Sequence, residues 1–298
     1  MQFLPSEDGF LGLPDDGAYP SPADARAVIV PFGLEATVSY GAGTAKGPDA
    51  ILNASHQVEL FDEEFWCEPV ADYGVATIAP IVPADPVAAA LDQLETAVAG
   101  VLQAGKLPLV LGGEHSLTAG AIRPFVAEYP DLAILHFDAH ADLRDGYEGE
   151  PFSHAAALRR CLDQGDMPLV SLGIRNISAG EIPFLKANRD RIHIHWAKDR
   201  ADWGVDEIVA PLAGRPVYLT FDLDGFDASL MAATGTPEPG GLFWDDAMRV
   251  IRAAAKVSRI VGADVVELAP RDNLHACDFL AAKLAYKILS YALASPNA

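Results

Sequence analysis

Three side chains of the metal-binding type alternate along Asp138-Ala139-His140-Ala141-Asp142, directly after the apolar run Leu132-Ala133-Ile134-Leu135. Alternate residues of extended chain share a face, so Asp138, His140 and Asp142 point one way. Carboxylates crowded like this repel one another and raise their own pKa values; a divalent cation removes that cost. Three other apolar runs end similarly: in "GGEHS" with His115, in "DLDGFD" with Asp222, Asp224 and Asp227, and in "VVELAP" with Glu267. Each segment alone is a common loop or cap pattern. Pooled, His115, Asp138, His140, Asp142, Asp222 and Asp224 offer two imidazoles and four carboxylates. Six donors exceed a closed tetrahedral zinc site, and mostly oxygen donors suit Mn²⁺ or a similar octahedral ion, with Ni²⁺ or Co²⁺ able to accept the same set. Two ions balance the four carboxylates, and a two-metal site makes hydroxide from water at neutral pH. His193-Ile194-His195 has no acidic partner at metallohydrolase spacing and reads as structural. "GGEHS" lacks the Lys of a phosphate loop.

Such groups need rigid strand ends to hold them. Short apolar, β-branched runs predict strands at Ala27–Phe32, Pro108–Leu111, Leu132–Phe137, Leu169–Leu172, Ile192–His195, Val217–Phe221 and Ile260–Leu268. Helical patterns fall between them at Pro48–Val58, Pro86–Ala104, Leu117–Glu128, Phe152–Leu162, Val205–Leu212, Asp245–Val257 and Cys277–Ala294. This alternation predicts an α/β fold, a single domain built on an open, mostly parallel sheet with helices on both faces. Residues 1–25, rich in Pro, Gly and Asp, read as an irregular N-terminal arm, and residues 26–298 as the α/β domain. "TGTPEPGG" (Thr234–Gly241) reads as a loop within that domain. In an open parallel sheet, function gathers at the carboxyl ends of the strands, where the candidate ligands lie.

Composition narrows the partners. The formal charge of −21 argues against a nucleic-acid partner, which needs a basic footprint, and is compatible with a cationic substrate. No apolar run approaches the ~20 residues of a membrane span, and the acidic N-terminus does not resemble a secretory signal. Cys67, Cys161 and Cys277 are odd in number and far apart, so a disulfide framework is not expected and the cytoplasm is the expected compartment.

In order and spacing, "GGEHS", "DAHAD", "FDLDGFD", "TGTPEPGG" and "ELAP" resemble the ureohydrolases, the arginase/agmatinase superfamily. The resemblance runs from "VSYGAGTAKGPDAIL" (Val38–Leu52) to "HACDFLAAKLAYKIL" (His275–Leu289), and its flanks look like the agmatinase branch. It implies an arginase-like three-layer fold, two Mn²⁺ ions, and a trimer or hexamer. It implies one ion on His115, Asp138, Asp142 and Asp222 and the other on Asp138, His140, Asp222 and Asp224, with Asp138 and Asp222 bridging. Glu267 would hold the substrate guanidinium, Asp142 would pass a proton to the leaving amine, His154 in "FSHAAALRR" would carry protons, and Asp227 would shape its loop. The implied reaction is hydrolysis of a guanidino compound to urea and an amine, foremost agmatine to putrescine, as in polyamine biosynthesis.

Two segments depart from familiar patterns. Many agmatinases read "HGT" where this chain has His154-Ala155-Ala156, and the loop "LRDGYEGEPFS" (Leu143–Ser153) lacks the Asn and Ser with which arginases bind an α-amino acid. The substrate tail therefore stays open. Acidic loop members among Asp145, Glu148 and Glu150 would favour a distal ammonium, as in agmatine or aminopropylagmatine, whereas Arg144 would favour a carboxylate, as in guanidinobutyrate; Tyr147 has no assigned role. Arginine, guanidine and formiminoglutamate are further family substrates. Outside the family, a two-metal phosphoesterase and a non-catalytic ureohydrolase-like protein compete; the first usually carries G-N-H, and this chain contains no Gly-Asn.

Overall fold

The computed structural model describes residues 1–294 of the chain; the last four residues of the expected 26–298 domain lie outside the described residues. Eight strands form one sheet: β1 (Ala27–Phe32), β2 (Val75–Thr77), β3 (Leu107–Gly112), β4 (Ala133–Phe137), β5 (Leu169–Ile174), β6 (Ile192–Trp196), β7 (Pro216–Asp222) and β8 (Arg259–Val266). Their order is β2-β1-β3-β8-β7-β4-β5-β6, and all pairings are parallel. The helices are α1 (Gly47–Ser55), α2 (Val70–Tyr73), α3 (Val87–Gln103), α4 (Thr118–Ala121), α5 (Arg123–Glu128), α6 (Ala157–Leu162), α7 (Ile182–Ala187), α8 (Val205–Val209), α9 (Trp244–Val257) and α10 (His275–Leu293).

Why the strands read as continuous apolar runs follows from their neighbours. In β1, Ala27 and Ile29 face one core with α1, α8, α9 and α10, while Val28, Val30 and Phe32 face a second core with α3, α5 and α6. Both faces are covered, so neither position of the period-2 pattern is polar. Burying one such Val, Leu or Ile is worth about 1.5–3 kcal/mol, which selects register strongly. Helix α3 repeats the logic at helical period: Val87, Ala90, Leu91, Leu94, Val98 and Val101 form its buried stripe.

Several sequence expectations shift. The single helix expected over Leu117–Glu128 is broken: a 3-10 turn at His115–Leu117 leads into α4, and α5 begins separately with Pro124 in its first turn. Pro124 has no N–H to continue the hydrogen-bond ladder from α4. The strand expected to reach Leu268 ends at Val266, because Glu267 turns into positive φ, +68°. Elements too short for a periodic signal, β2, α2 and α7, were not anticipated. Within residues 1–25, Phe3 pairs with Ile78, and Phe10, Leu11 and Leu13 are buried in the first core.

Candidate metal centre

The three strands that carry the candidate ligands, β3, β7 and β4, and the strand β8 that carries Glu267 are the four central neighbours of the sheet. Distant sequence segments therefore deliver their carboxyl ends side by side. His115 follows β3, Asp138, His140 and Asp142 follow β4, Asp222 ends β7 with Asp224 two residues on, and Glu267 follows β8. Two glycines permit the close approach. A Cβ on Gly113 of "GGEHS" would overlap the Leu34 carbonyl oxygen, and one on Gly225 would lie 2.8 Å from the Asp138 nitrogen.

All six candidate ligands come together. The His115 Nδ1 lies 3.2 Å from Asp138 Oδ2, 3.0 Å from Asp142 Oδ2 and 3.5 Å from Asp222 Oδ2. His140 Nδ1 lies 3.4 Å from Asp138 Oδ1 and 3.1 Å from Asp224 Oδ2. Asp138 thus stands between the two imidazoles. Backbone groups aim the carboxylates: the His140 N–H donates to Asp138 Oδ1, that of Ala139 to Asp224 Oδ1, and that of Asp224 to Asp222 Oδ1. Asp142 is fixed in the left-handed region at φ +52°, a conformation that costs a non-glycine residue on the order of 1 kcal/mol and recurs at functional sites.

The donor set fits divalent cations. His115 Nδ1 is buried and makes no aligned hydrogen bond, although three carboxylate oxygens face it. Burial opposes charge on this imidazole, yet Asp138 and Asp142 push its pKa well above the usual value; a divalent cation would take all four donors in place of that proton. The charges agree. Burial, then Asp224, Asp138 and Glu267, push the Asp222 carboxyl well above its usual range. Burial disfavours charge on His140, yet Asp224 and Asp138 push its pKa up to about 12. Burial likewise opposes charge on Asp138, but His115, His136 and His140 hold its carboxyl well below the usual range. The cluster captures protons for want of a stronger positive charge. Among the described residues, geometric triads suited to an ion are Asp138, His140 and Asp224, and His115, His136 and Asp138.

Sequence reading missed the residues behind the ligands. His136, fully buried on β4, joins Ser171 Oγ (3.0 Å from Nδ1) to Asp138 Oδ2 (2.9 Å from Nε2). The far nitrogen of His115 meets Thr220 Oγ1 at 2.9 Å, and Thr220 donates to the buried Asp264 at 2.6 Å. Tyr218 and Thr118 also donate to Asp264. Arg175 donates to the carbonyls of Gly173, Asp224, Gly225, Phe226 and Glu238, clamping the loop after β7 against "TGTPEPGG". Asp227 accepts from Ser229, Gly240 and Gly241 within that same loop and lies outside the ligand cluster.

Glu267 stands beside the cluster. Its carboxylate accepts the His115 N–H at 2.7 Å. Burial raises its pKa, the His115 N–H opposes, and nearby Glu114 adds to the rise, to about 8. His154 lines the cavity at the start of a 3-10 turn that Ser153 caps by accepting the Ala155 N–H. Its Nδ1 lies 3.1 Å from Thr37 Oγ1 and its Nε2 3.0 Å from Ser39 Oγ. The cavity holds about 330 Å³ and is lined by five of the six candidate ligands with Glu267, His154, Ser39, Tyr40 and Glu181.

Of the open loop residues, Arg144 and Tyr147 line the cavity, with the Arg144 guanidinium 5.0 Å from the Tyr147 ring centre. Asp145 does not: Arg160 holds it at 2.7 Å and Arg159 at 3.5 Å. The Glu148 backbone forms a tight turn at φ +51°, closed by paired Tyr147 and Glu150 backbones. Glu181, unremarked in the sequence, lines the cavity and accepts from Leu143 and Ser178. His193 and His195 lie on the edge strand β6 and do not line the cavity, His195 packing against Trp203.

Comparison with known proteins gives a consistent result. The model of the arginase family matches residues 25–290. Among curated proteins, N(1)-aminopropylagmatine ureohydrolase of Synechocystis sp. is 36% identical, over 97% of this chain and 93% of the relative. Agmatinase of Bacillus subtilis is 34% identical, over 89% of this chain and 90% of its own length. Among solved structures, agmatine ureohydrolase of Thermoplasma volcanium superposes with a TM-score of 0.82 at 31% identity, covering 92% of each chain.

Proposed function

The chain belongs to the arginase family, and on that premise we propose that it hydrolyses a guanidino-terminated alkylamine, agmatine or its aminopropyl derivative, to urea and the parent amine. One observation carries this reading: six metal-type donors cluster together, and five of them line a single cavity with a separate buried carboxylate, Glu267. His115, Asp138, Asp142 and Asp222 would hold one ion and Asp138, His140, Asp222 and Asp224 the other, Mn²⁺ being the family expectation. When bound, such a pair supplies Lewis acidity and lowers the pKa of water. That role leaves Glu267 free for the substrate.

A guanidinium carbon is a poor electrophile because its charge is spread over three nitrogens, so orientation matters. Glu267 binds and orients the guanidinium through charge-assisted hydrogen bonds. A cation there offsets the burial that raises the Glu267 carboxyl. Asp142 passes a proton to the leaving amine, and His154, at the cavity wall, exchanges protons with solvent afterwards. The relatives named for agmatine and aminopropylagmatine support a cationic tail. The family match replaces the phosphoesterase reading. A cytoplasmic homo-oligomer, trimer or hexamer, acting in polyamine biosynthesis completes the proposal; no helix among the described residues is long and apolar enough to cross a membrane.

A second reading rests on Arg144. Its guanidinium lines the cavity, and among the described residues it has no carboxylate partner within 4.0 Å. That favours a carboxylate tail, as in guanidinobutyrate. The test is urea release from agmatine, aminopropylagmatine, guanidinobutyrate, arginine and guanidine after loading with Mn²⁺ or Ni²⁺. We expect the first two to lead. Preference for guanidinobutyrate, abolished in Arg144→Met, would install the second reading. Formamide release from formiminoglutamate would move the chain to that branch, and inertness towards every substrate would make it a non-catalytic relative.

A further inference from the structure

Glu114, in the middle of "GGEHS", neighbours the ligand His115 yet has no place in the metal cluster. It is fully buried and saturated with donors. Its Oε2 accepts the backbone N–H groups of Ala36 and Thr37, each at 2.6 Å. Its Oε1 accepts the hydroxyls of Ser116 at 2.6 Å and Thr37 at 2.8 Å. A surface-facing loop, residues 35–39, is thereby tied to the end of β3.

The consequence falls on His154. A threonine hydroxyl has one proton and two lone pairs. The Thr37 proton goes to Glu114 Oε1, and one Thr37 lone pair accepts the His154 backbone N–H at 3.0 Å. What remains to face His154 Nδ1, 3.1 Å away, is the second lone pair. Ser153 Oγ also faces Nδ1, but at 3.4 Å; the shorter Thr37 contact decides, and it requires a proton on Nδ1. In the neutral ring Nε2 is then the unprotonated nitrogen, and it meets Ser39 Oγ at 3.0 Å on the cavity side. We infer that Glu114 is a positioning residue which, through Thr37, fixes the tautomer of His154 so that its basic nitrogen, Nε2, faces the cavity. The inference deepens the reading of His154 as a proton carrier and rests on it for its functional meaning, although the tautomer itself is a separate observable. Second-sphere hydrogen bonds commonly set which ring nitrogen is protonated.

The substitution Glu114→Gln makes the inference sharp. The introduced amide has a single oxygen, which the two backbone N–H groups claim. Its NH₂ then donates to Thr37, freeing the Thr37 proton for Nδ1. The ring proton should move to Nε2, the wrong nitrogen for the cavity. The measurement is magic-angle-spinning NMR of ¹⁵N-histidine-labelled full chain loaded with diamagnetic Zn²⁺, with His154 assigned by its absence in His154→Gln. We expect the Nδ1–H tautomer in the native chain, the Nε2–H tautomer in Glu114→Gln, loss of a single tautomer in Thr37→Val, and the native pattern in Thr37→Ser. In the Mn²⁺-loaded enzyme, Glu114→Gln should lower kcat for urea release by roughly 10-fold or more with metal content and KM near native, as for a misaligned acid–base group. A native Nε2–H tautomer, or an unchanged tautomer in both Glu114→Gln and Thr37→Val, overturns the inference. Failure of the underlying reading shows separately, as full urea release by His154→Gln.

Discussion

At the residue scale, the ligand types and their alternation were legible because they are local: Asp138, His140 and Asp142 announce themselves within five positions. Their partners were not. Asp264 serves His115 through Thr220, Glu114 serves His154 through Thr37, and these links span long stretches of chain with no periodic trace. Glu114 lies inside "GGEHS", but a buried acid beside a ligand carries no one-dimensional mark of its target. Two substitutions test the residue assignments. Asp138→Ala should bind well under half the native metal and lose turnover, and full occupancy by atomic absorption would remove Asp138 from its bridging place. Glu267→Gln should retain both metals yet raise KM for the guanidino substrate by at least ~10-fold, the loss of one charge-assisted pair; native kinetics would remove Glu267 from the substrate site.

At the element scale, the strands were legible because burial on both faces writes them as apolar runs, and helices because of their stripes. Where the expectation failed, a competing rule acted: Pro124 divided one helix, and β2 and α7 were too short to show a period. The attachment of the segment after α1 was equally invisible. There Glu64 meets Arg252 of α9 at 2.7 Å, Tyr291 of α10 at 2.8 Å and Lys287 of α10 at 3.2 Å. Burial opposes its charge, but these partners lower its pKa to about 2 from 4.5. The folded value lies below the unfolded one. Its contribution to stability is therefore complete above pH 4.5 and is lost as pH falls towards 2, and solvent screening around this partly exposed group keeps it to about 1 kcal/mol. Glu64→Gln should melt about 2 °C below the native chain at pH 6 and converge with it near pH 2.5. A gap in Tm that does not depend on pH would rule out this linkage.

At the scale of the whole molecule, the ligand-bearing strand ends form the centre of the sheet, so metal binding and global stability should be coupled. A ligand that binds only the folded state adds about 2.7 kcal/mol at a hundredfold excess over its Kd. For a chain of 298 residues, the usual unfolding entropy turns that into roughly 4 °C of Tm per ion. The two sites are distinguished by which side chains they share. Asp222 would serve both ions and His140 only one, so Asp222→Ala should abolish the metal-induced rise and His140→Ala should keep about half of it. The metal-free proteins supply the opposite sign. The Asp222 carboxyl is pushed well above its usual range by burial and by Asp224, Asp138 and Glu267, so above the unfolded carboxyl pKa it costs the metal-free fold stability. Removing it should leave metal-free Tm at pH 8 equal to or above native, while the Mn²⁺-loaded variant melts below the Mn²⁺-loaded native chain. Such a crossing separates a charge kept for a cation from a residue kept for packing, whose loss lowers Tm under both conditions. A drop of equal size with and without Mn²⁺ would reassign Asp222 to the scaffold.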